Sequence, residues 1–110
     1  MGIRPRMTTT TAQVLEALAQ HPDRNRYGLE VMGLTGLPSG TVFPILARLE
    51  AHEWLESGWE DVDPRVVGRP RRRYYRLTGP GHAAATAALA RVADQRHQRA
   101  RMLRPAEGTA

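Results

Sequence analysis

Apolar residues recur at helical spacing in the first half of the chain, and they predict three short helices. Val14, Leu15 and Leu18 lie on one face of a first helix that ends at about Gln20, before Pro22. The residues that follow, up to Asn25, are polar or break helices, so they predict a loop.

Two further helices follow this loop. The segment from Tyr27 to Leu34 predicts a short helix, and Gly36 suits the position just after its end. A third helix contains Pro44, and proline is tolerated in the first turn, so we expect this helix to begin near residues 39–41. Its apolar stripe consists of Val42, Ile45, Leu46 and Leu49.

After His52 the hydrophobic period changes from helical to alternating. Leu55, Ser57 and Trp59 alternate with polar residues and predict a strand, and a second strand is expected from Arg71 to Leu77. Residues 61–70, which contain Asp-Pro, Gly and a second Pro, predict a turn-rich hairpin tip. Thr78 then precedes an alanine-rich helix that we expect to reach about Leu103.

This order of elements predicts a mainly α (α+β) fold, a winged helix-turn-helix with a two-stranded wing and a long C-terminal helix. We expect residues 1–7 to be a flexible basic arm and residues 8–78 to be the winged domain. Residues 79–104 would be a dimerisation helix, and residues 105–110 a disordered tail. A chain of 110 residues has room for one such core.

The charge of the chain is strongly basic. The net charge is +5, the isoelectric point is near 10.9, and all 16 basic residues are arginine. Basic proteins attract polyanions, and arginine binds phosphate and guanine in bidentate fashion. A GC-rich genome would also raise the arginine content, so composition alone does not identify the partner.

The positions of the charges say more than their number. Residues 50–63 hold six acids and no arginine, whereas residues 65–76 hold six arginines and no acid. This segregation is not typical of a solvated mixed surface, and it places the positive charge on the predicted wing.

The third helix is the candidate recognition helix, because the second helix of a helix-turn-helix enters the major groove with its N-terminal end first. If its apolar stripe faces the core, the opposite face is open to DNA, and its N-terminus offers unpaired amides to phosphates. Phe43 could instead belong to the core and Arg48 could serve solubility. The predicted contacts are Ser39, Gly40, Thr41, Phe43, Pro44 and Arg48.

Four arginines at the predicted wing tip are candidates for minor-groove or phosphate contacts. They are Arg69, Arg71, Arg72 and Arg73, and Gly68 and Pro70 restrict the backbone around them. An arginine run could alternatively protect the edge of the sheet from aggregation.

The last helix is the predicted dimerisation element, with partners on the first helix. A helix folded back onto its own domain is the alternative. A dimer would place two recognition helices about 34 Å apart, one turn of DNA. The predicted interface residues are Val14, Leu18, Ala85, Leu89 and Val92.

Three blocks of sequence resemble the PadR-like transcriptional regulators. They are Tyr27–Val31, Gly40–Glu50 and Gly68–Thr78, and the resemblance runs from about Thr10 to Gly81. It implies a dimeric repressor that binds an inverted-repeat operator and releases it on meeting a small molecule. Phe43 departs from the tyrosine that is usual in the family, which places a polar contact there in doubt.

Other function classes have little support in the sequence. The histidines at 21, 52, 82 and 97 form no ligand pair at i, i+4, and no nucleophile motif or phosphate loop is present, so we expect neither an enzyme nor a metal or cofactor site. A winged helix that binds RNA or another protein remains an alternative. The absence of cysteine, of a signal peptide and of a run of about 20 apolar residues predicts a cytoplasmic protein without a membrane partner.

Overall fold

Five helices and three strands make up residues 7–103, which are the residues that the computed structural model describes. Nearly all of the predicted arm and the whole predicted tail therefore lie outside the described residues. The elements are α1 (Thr9–Ala19), β1 (Arg26–Tyr27), α2 (Gly28–Thr35), α3 (Ser39–Ala51), β2 (Leu55–Trp59), α4 (Pro64–Val67), β3 (Arg73–Leu77) and α5 (Gly79–Leu103).

The first two helices form as the apolar pattern predicts, and local bonds define their ends. The hydroxyl of Thr8 accepts a hydrogen bond from the amide of Thr11 and caps α1. Tyr27 is the N-cap of α2, and its backbone amide donates to the carboxylate of Glu30 at 3.1 Å. Gly36 ends α2 in the left-handed region, with φ of 74°, where glycine is favoured.

Helix α3 begins at the earliest predicted position, and this start places Pro44 beyond the first turn rather than within it. Pro38 is its N-cap and Ser39 its first residue, so Pro44 stands sixth in the helix rather than in the first turn. The proline has no amide to donate to the carbonyl of Gly40, and that carbonyl lies at the exposed start of the helix.

The sheet has one strand more than predicted. Its order is β1-β3-β2, all antiparallel, because the short β1 pairs with β3 and places Tyr27 opposite Tyr74. The wing hairpin itself is the predicted pair, with Leu55 opposite Leu77. Two residues are too few for the alternating pattern that reveals a strand, so β1 was not predictable from period.

The wing tip is not the irregular turn that the sequence predicts. Asp63 accepts the amide of Arg65 and caps a helical turn, Pro64 stands at its first position, and Gly68 ends it with φ of 71°. Proline at the first position and glycine after the last are typical of a helix, but four residues are too few to show a helical apolar period.

One hydrophobic core joins the three N-terminal helices to the wing strands and to the first half of α5. Its largest fully buried side chains include Leu15, Leu46 and Leu49. Thr78 caps α5 by accepting the amide of Gly81 at 2.9 Å, as predicted. Helix α5 packs on α1, and every residue of α5 from Ala93 onward is exposed.

Candidate nucleic-acid interface

The outward face of α3 is the first part of the candidate interface. The four apolar residues of its inner face are at most 2% exposed, so packing fixes the rotation of the helix. Ser39 and Gly40 are exposed at its N-terminal end, and its first turn contains no acid. The outward side chains are those predicted, Thr41, Phe43, Pro44, Ala47 and Arg48, of which Thr41 is half-buried and the others exposed.

Phe43 is neither a core residue nor a free surface residue. Its ring is 41% exposed and lies against Gly28 at the start of α2, where a Cβ would overlap the ring edge. Both the core placement and an unconstrained exposed ring are thereby excluded. Because Gly28 has no side chain, the ring of Phe43 can pack against the start of α2 while it remains on the outward face of α3.

The wing provides the second part of the interface, and its arginines are held by specific contacts. Arg71 donates from Nε to the carbonyl of Val62 at 2.8 Å. The guanidinium of Arg72 lies over the ring of Tyr27, 5.7 Å from its centre. Within residues 7–103, Arg71 and Arg72 form no ion pair, and both are exposed.

Arg73 connects the wing to α3. Its guanidinium lies 5.3 Å from the ring centre of Trp59 and donates to the hydroxyl of Ser57 at 2.7 Å. It also reaches Glu50 near the end of α3, at 3.4 Å, and Ser57 donates to the same carboxylate. Arg73 thus has an acidic partner that Arg71 and Arg72 lack.

Arg69, the fourth predicted wing contact, is engaged inside the wing. Both terminal nitrogens of its guanidinium donate to Glu60, at 2.6 and 3.0 Å. The hydrogen bond from Arg69 lowers the pKa of the Glu60 carboxyl from 4.5 to about 2, and the backbone amide of Arg72 adds to the shift. A guanidinium in bidentate contact with a carboxylate has fewer donors left for phosphate.

The acidic and basic blocks of the sequence lie against each other in the fold. Ion pairs join Glu50 to Arg73, Glu56 to Arg76 and Glu60 to Arg69. Half of the six wing arginines are therefore neutralised inside the molecule, which charge counting along the chain did not reveal. Arg65, Arg71 and Arg72 retain their positive charge without an acidic partner among the described residues.

The structure also shows which functional side chains the sequence did not indicate. Tyr27 caps α2, supports Arg72 and donates to Glu60 at 3.4 Å, and so connects the helix-turn-helix to the wing. In the sequence, Glu60 is one of six acids in residues 50–63, and nothing distinguishes it from the other five. The contact between Tyr27 and Glu60 could not be predicted from the local sequence, because it depends on how the three strands of the sheet pair.

The predicted dimer residues divide into two groups. Val14, Leu18 and Ala85 are at most 2% exposed within a single chain, where they lie in the core between α1 and α5, and their contact with a second chain stays a prediction. Leu89 and Val92 are partly exposed. The first half of α5 thus packs on its own domain, as in the alternative considered, while its second half extends away from the core.

Among residues 7–103, no group of three or more histidine, cysteine, aspartate or glutamate side chains could hold a metal ion. Over the same span no single helix is long and apolar enough to cross a membrane; only the bent pair α2 and α3 passes, by length and composition alone.

Comparison with known proteins identifies the family. The chain matches the Transcriptional regulator PadR-like family over residues 14–87, which is most of its length, and it belongs to that family. The family consists of transcriptional regulators, not enzymes. No curated protein sequence matches the chain significantly.

Solved structures share the fold. A PadR family transcription regulator from Clostridium difficile is 20% identical, with a TM-score of 0.72, and the match covers 88% of this chain and 100% of that one. BpsR of Bordetella bronchiseptica, whose DNA binding is regulated by 6-hydroxynicotinic acid, is 24% identical, with a TM-score of 0.66, and the match covers 84% of this chain and 60% of that one.

A third similar structure contains nucleic acid. A point mutant of MepR from Staphylococcus aureus, bound to an oligodeoxyribonucleotide, is 19% identical with a TM-score of 0.63, and the match covers 92% of this chain and 68% of that one. These likenesses show the winged-helix fold, and with the family match they make this chain a PadR-like transcriptional regulator.

Proposed function

We propose that this chain is a repressor that binds an inverted-repeat operator as a homodimer in the bacterial cytoplasm. The observation that carries the proposal is the pairing of two surfaces: the outward face of α3, whose first turn contains no acid, and the wing arginines Arg71 and Arg72, which form no ion pair among residues 7–103. Contacts through Tyr27 hold the wing against the helix-turn-helix. A duplex offers both a major groove for the helix and phosphates for the wing.

In this proposal the two surfaces have different tasks. Thr41 and Phe43 contact base edges, since a hydroxyl can pair with a base or phosphate and a ring edge can contact a thymine methyl. Arg71 and Arg72 neutralise phosphates, and Arg48 and the exposed amides of Ser39 and Gly40 fix the position of α3 on the backbone. Pro44 lies beside Phe43 and limits the approach of the helix. Arg73 shares its charge between Glu50 and DNA.

Dimerisation is proposed to involve α5 from Leu89 to its end. Leu89 and Val92 are partly exposed, and Met102 and Leu103 are 85% and 76% exposed near the end of the helix. Large exposed apolar side chains at the end of an extended helix favour burial against another chain. Two copies related by a twofold axis would match the symmetry of an inverted repeat.

A small-molecule effector completes the proposal, as the family resemblance implies. For BpsR, 6-hydroxynicotinic acid regulates DNA binding. For this chain we propose only the class of event, release of DNA when a small molecule binds. An effector would reveal itself by lowering operator affinity while leaving the chain folded.

The first experiment measures binding to duplexes that tile the region upstream of the chain's own gene, by fluorescence anisotropy from about 50 to about 200 mM salt. A scrambled duplex of equal composition and a hairpin RNA serve as competitors. We expect one duplex to be preferred, its footprint to show an inverted repeat, and sedimentation to show a dimer. Equal competition by RNA, or no sequence preference at any salt, would favour the alternative of an RNA- or protein-binding winged helix.

A second experiment tests the assignment of α3. Thr41→Ala should change which bases are preferred at one position of each half-site, because it removes the hydroxyl of an outward residue near the start of the helix. Thr86→Ala, which removes an exposed hydroxyl from α5, is the matched control. Selection from a randomised operator measures both, and an unchanged preference in Thr41→Ala would contradict the assignment.

A further inference from the structure

The carboxylate of Glu60 binds three separate segments of the molecule. Its Oε1 accepts Nη1 of Arg69 at 2.6 Å and the backbone amide of Arg72 at 3.1 Å. Its Oε2 accepts Nη2 of Arg69 at 3.0 Å and the hydroxyl of Tyr27 at 3.4 Å. One side chain therefore joins the end of the wing tip, the start of β3 and the beginning of α2.

The surroundings of Glu60 suit a fixed internal role. Its side chain is only 10% exposed, although most of the wing tip that follows it is exposed. Its own amide donates to the carbonyl of Arg72 at 2.9 Å, which extends the β2–β3 pairing one step toward the tip. Between them, the backbone and the side chain of Glu60 bind both the carbonyl and the amide of Arg72.

We propose that Glu60 is the positioning residue that fixes the wing against the helix-turn-helix, and that Arg69 is its partner rather than a contact to DNA. This inference rests on the proposed DNA-binding function. It deepens that function by naming the residue that sets where Arg71 and Arg72 meet the backbone of the duplex.

In this proposal Glu60 orders the wing tip before DNA binds. The helical turn α4 at the wing tip buries none of its residues, so apolar packing does not hold it. Without a polar anchor, the arginines at the tip would have to become ordered when DNA binds, and that entropy would be lost from the affinity. Glu60 supplies the anchor because its bonds fix the loop on both sides of Arg71, at Arg69 and at Arg72.

The direction in which Glu60→Gln changes DNA affinity separates a positioning role from a simple charge effect. Glu60→Gln removes a negative charge from a surface proposed to face a polyanion, and it frees the guanidinium of Arg69. Electrostatics alone therefore predicts tighter DNA binding. A positioning role predicts weaker binding, because the wing loses the carboxylate that accepts the two bonds from Arg69.

Glu56→Gln is the matched control. Glu56 lies four residues earlier, in β2, binds Arg76 at 2.8 Å and is 54% exposed, so its substitution also removes one negative charge and frees one arginine. We expect Glu60→Gln to weaken operator binding by about tenfold, in line with the loss of hydrogen bonds to a charged group, and Glu56→Gln to change it by less than about twofold. Binding by Glu60→Gln as tight as that of Glu56→Gln, or tighter, would overturn the proposal.

The salt dependence of DNA affinity separates a displaced wing from a general loss of protein stability, which would not change that dependence. If the wing is displaced in Glu60→Gln, the slope of log affinity against log salt should flatten as it does in Arg71→Ala/Arg72→Ala. Adding the two arginine substitutions to Glu60→Gln should then have little further effect. Fully additive effects would mean that Glu60 does not act through these arginines, and would overturn the proposal.

The order of the wing can also be measured in the free protein, without DNA. We expect the ¹⁵N heteronuclear NOE of residues 61–72 to fall in Glu60→Gln and to stay at the wild-type value in Glu56→Gln. An unchanged NOE would overturn the proposal even if DNA binding were altered, and a fall would support it even if the wild-type chain bound no duplex. If Glu60→Gln does not fold, Tyr27→Phe and Arg69→Gln replace it, since each removes one partner and leaves the carboxylate.

Discussion

The recognition helix α3 and the wing are held to the rest of the molecule by different forces. Helix α3 buries four apolar side chains to 2% exposure or less, and their packing fixes its rotation. The tip of the wing buries no residue of α4, and its position depends on hydrogen bonds and ion pairs around Glu60. Packing fixes a whole element at once, whereas polar contacts fix particular atoms.

This difference matters for how each part can meet DNA. A helix packed into a core presents its outward face in one orientation, which suits the reading of base edges. A wing held by a few directional bonds can be moved by changing one partner. The substitutions below are expected to act on one part without the other, and their effects should decrease in the order given.

The largest effect is expected in the packed part. Leu46→Ala should lower the free energy of unfolding by about 2–5 kcal/mol, because it removes a fully buried side chain and leaves a cavity. Urea denaturation measures it, and Arg48→Ala, on the outward face of the same helix, should cost less than about 0.5 kcal/mol. Equal costs for the two variants would mean that packing does not fix α3.

A smaller effect is expected where α2 meets α3. Gly28→Ala should cost about 1–3 kcal/mol, because the added Cβ overlaps the ring of Phe43 and the ring must move. Gly33→Ala is the control on the same helix, since a Cβ there meets nothing within 4 Å and should be neutral or stabilising.

The same pair of residues offers a direct check on the cause. Phe43→Ala in the Gly28→Ala background should recover most of the stability lost in Gly28→Ala, because the overlap is gone. Stability measured by thermal unfolding would show this as a coupling between the two positions. Strict additivity would indicate that the ring and Gly28 do not touch.

The comparison also explains how much could be predicted from the sequence. The helical period of Val42, Ile45, Leu46 and Leu49 predicted both the helix and its inner face, because a buried stripe leaves a regular trace in the sequence. The outward positions followed without further information. The family resemblance covers the same helix, because its block Gly40–Glu50 lies within α3.

The wing could be predicted only in outline. The alternation of residues indicated two strands, but the partner of each arginine depends on the register of the hairpin. Arg69 and Arg71 are two positions apart, yet one binds Glu60 and the other a backbone carbonyl. The role of Val14 and Leu18 was left open for a related reason, since an apolar stripe does not state whether its own chain or another covers it.

Replacing Arg71 and Arg72 should lower DNA affinity and have little effect on stability. Arg71→Ala/Arg72→Ala should weaken binding to all duplexes alike and flatten the salt slope by about 0.9 for each phosphate contact that is lost. Arg24→Ala, which removes one positive charge from an exposed position outside both the wing and the proposed dimer contact, is the control. A loss confined to the operator, with an unchanged slope, would assign these arginines to base contacts instead.

The smallest effect concerns pH and the anchor of the wing. The pKa of the Glu60 carboxyl is lowered to about 2 from its ordinary 4.5 by the hydrogen bond from Arg69. A carboxyl with a lowered folded-state pKa contributes its stability above about pH 4.5, and that contribution is lost as the pH falls toward 2. The difference in unfolding free energy between the wild type and Glu60→Gln should therefore be constant from neutral pH down to about 5 and should shrink only below it. Urea denaturation across this range measures it, with Glu56→Gln as the reference. A difference that already declined near neutral pH would show that Arg69 does not hold the carboxylate ionised, and the wing would then lack its anchor.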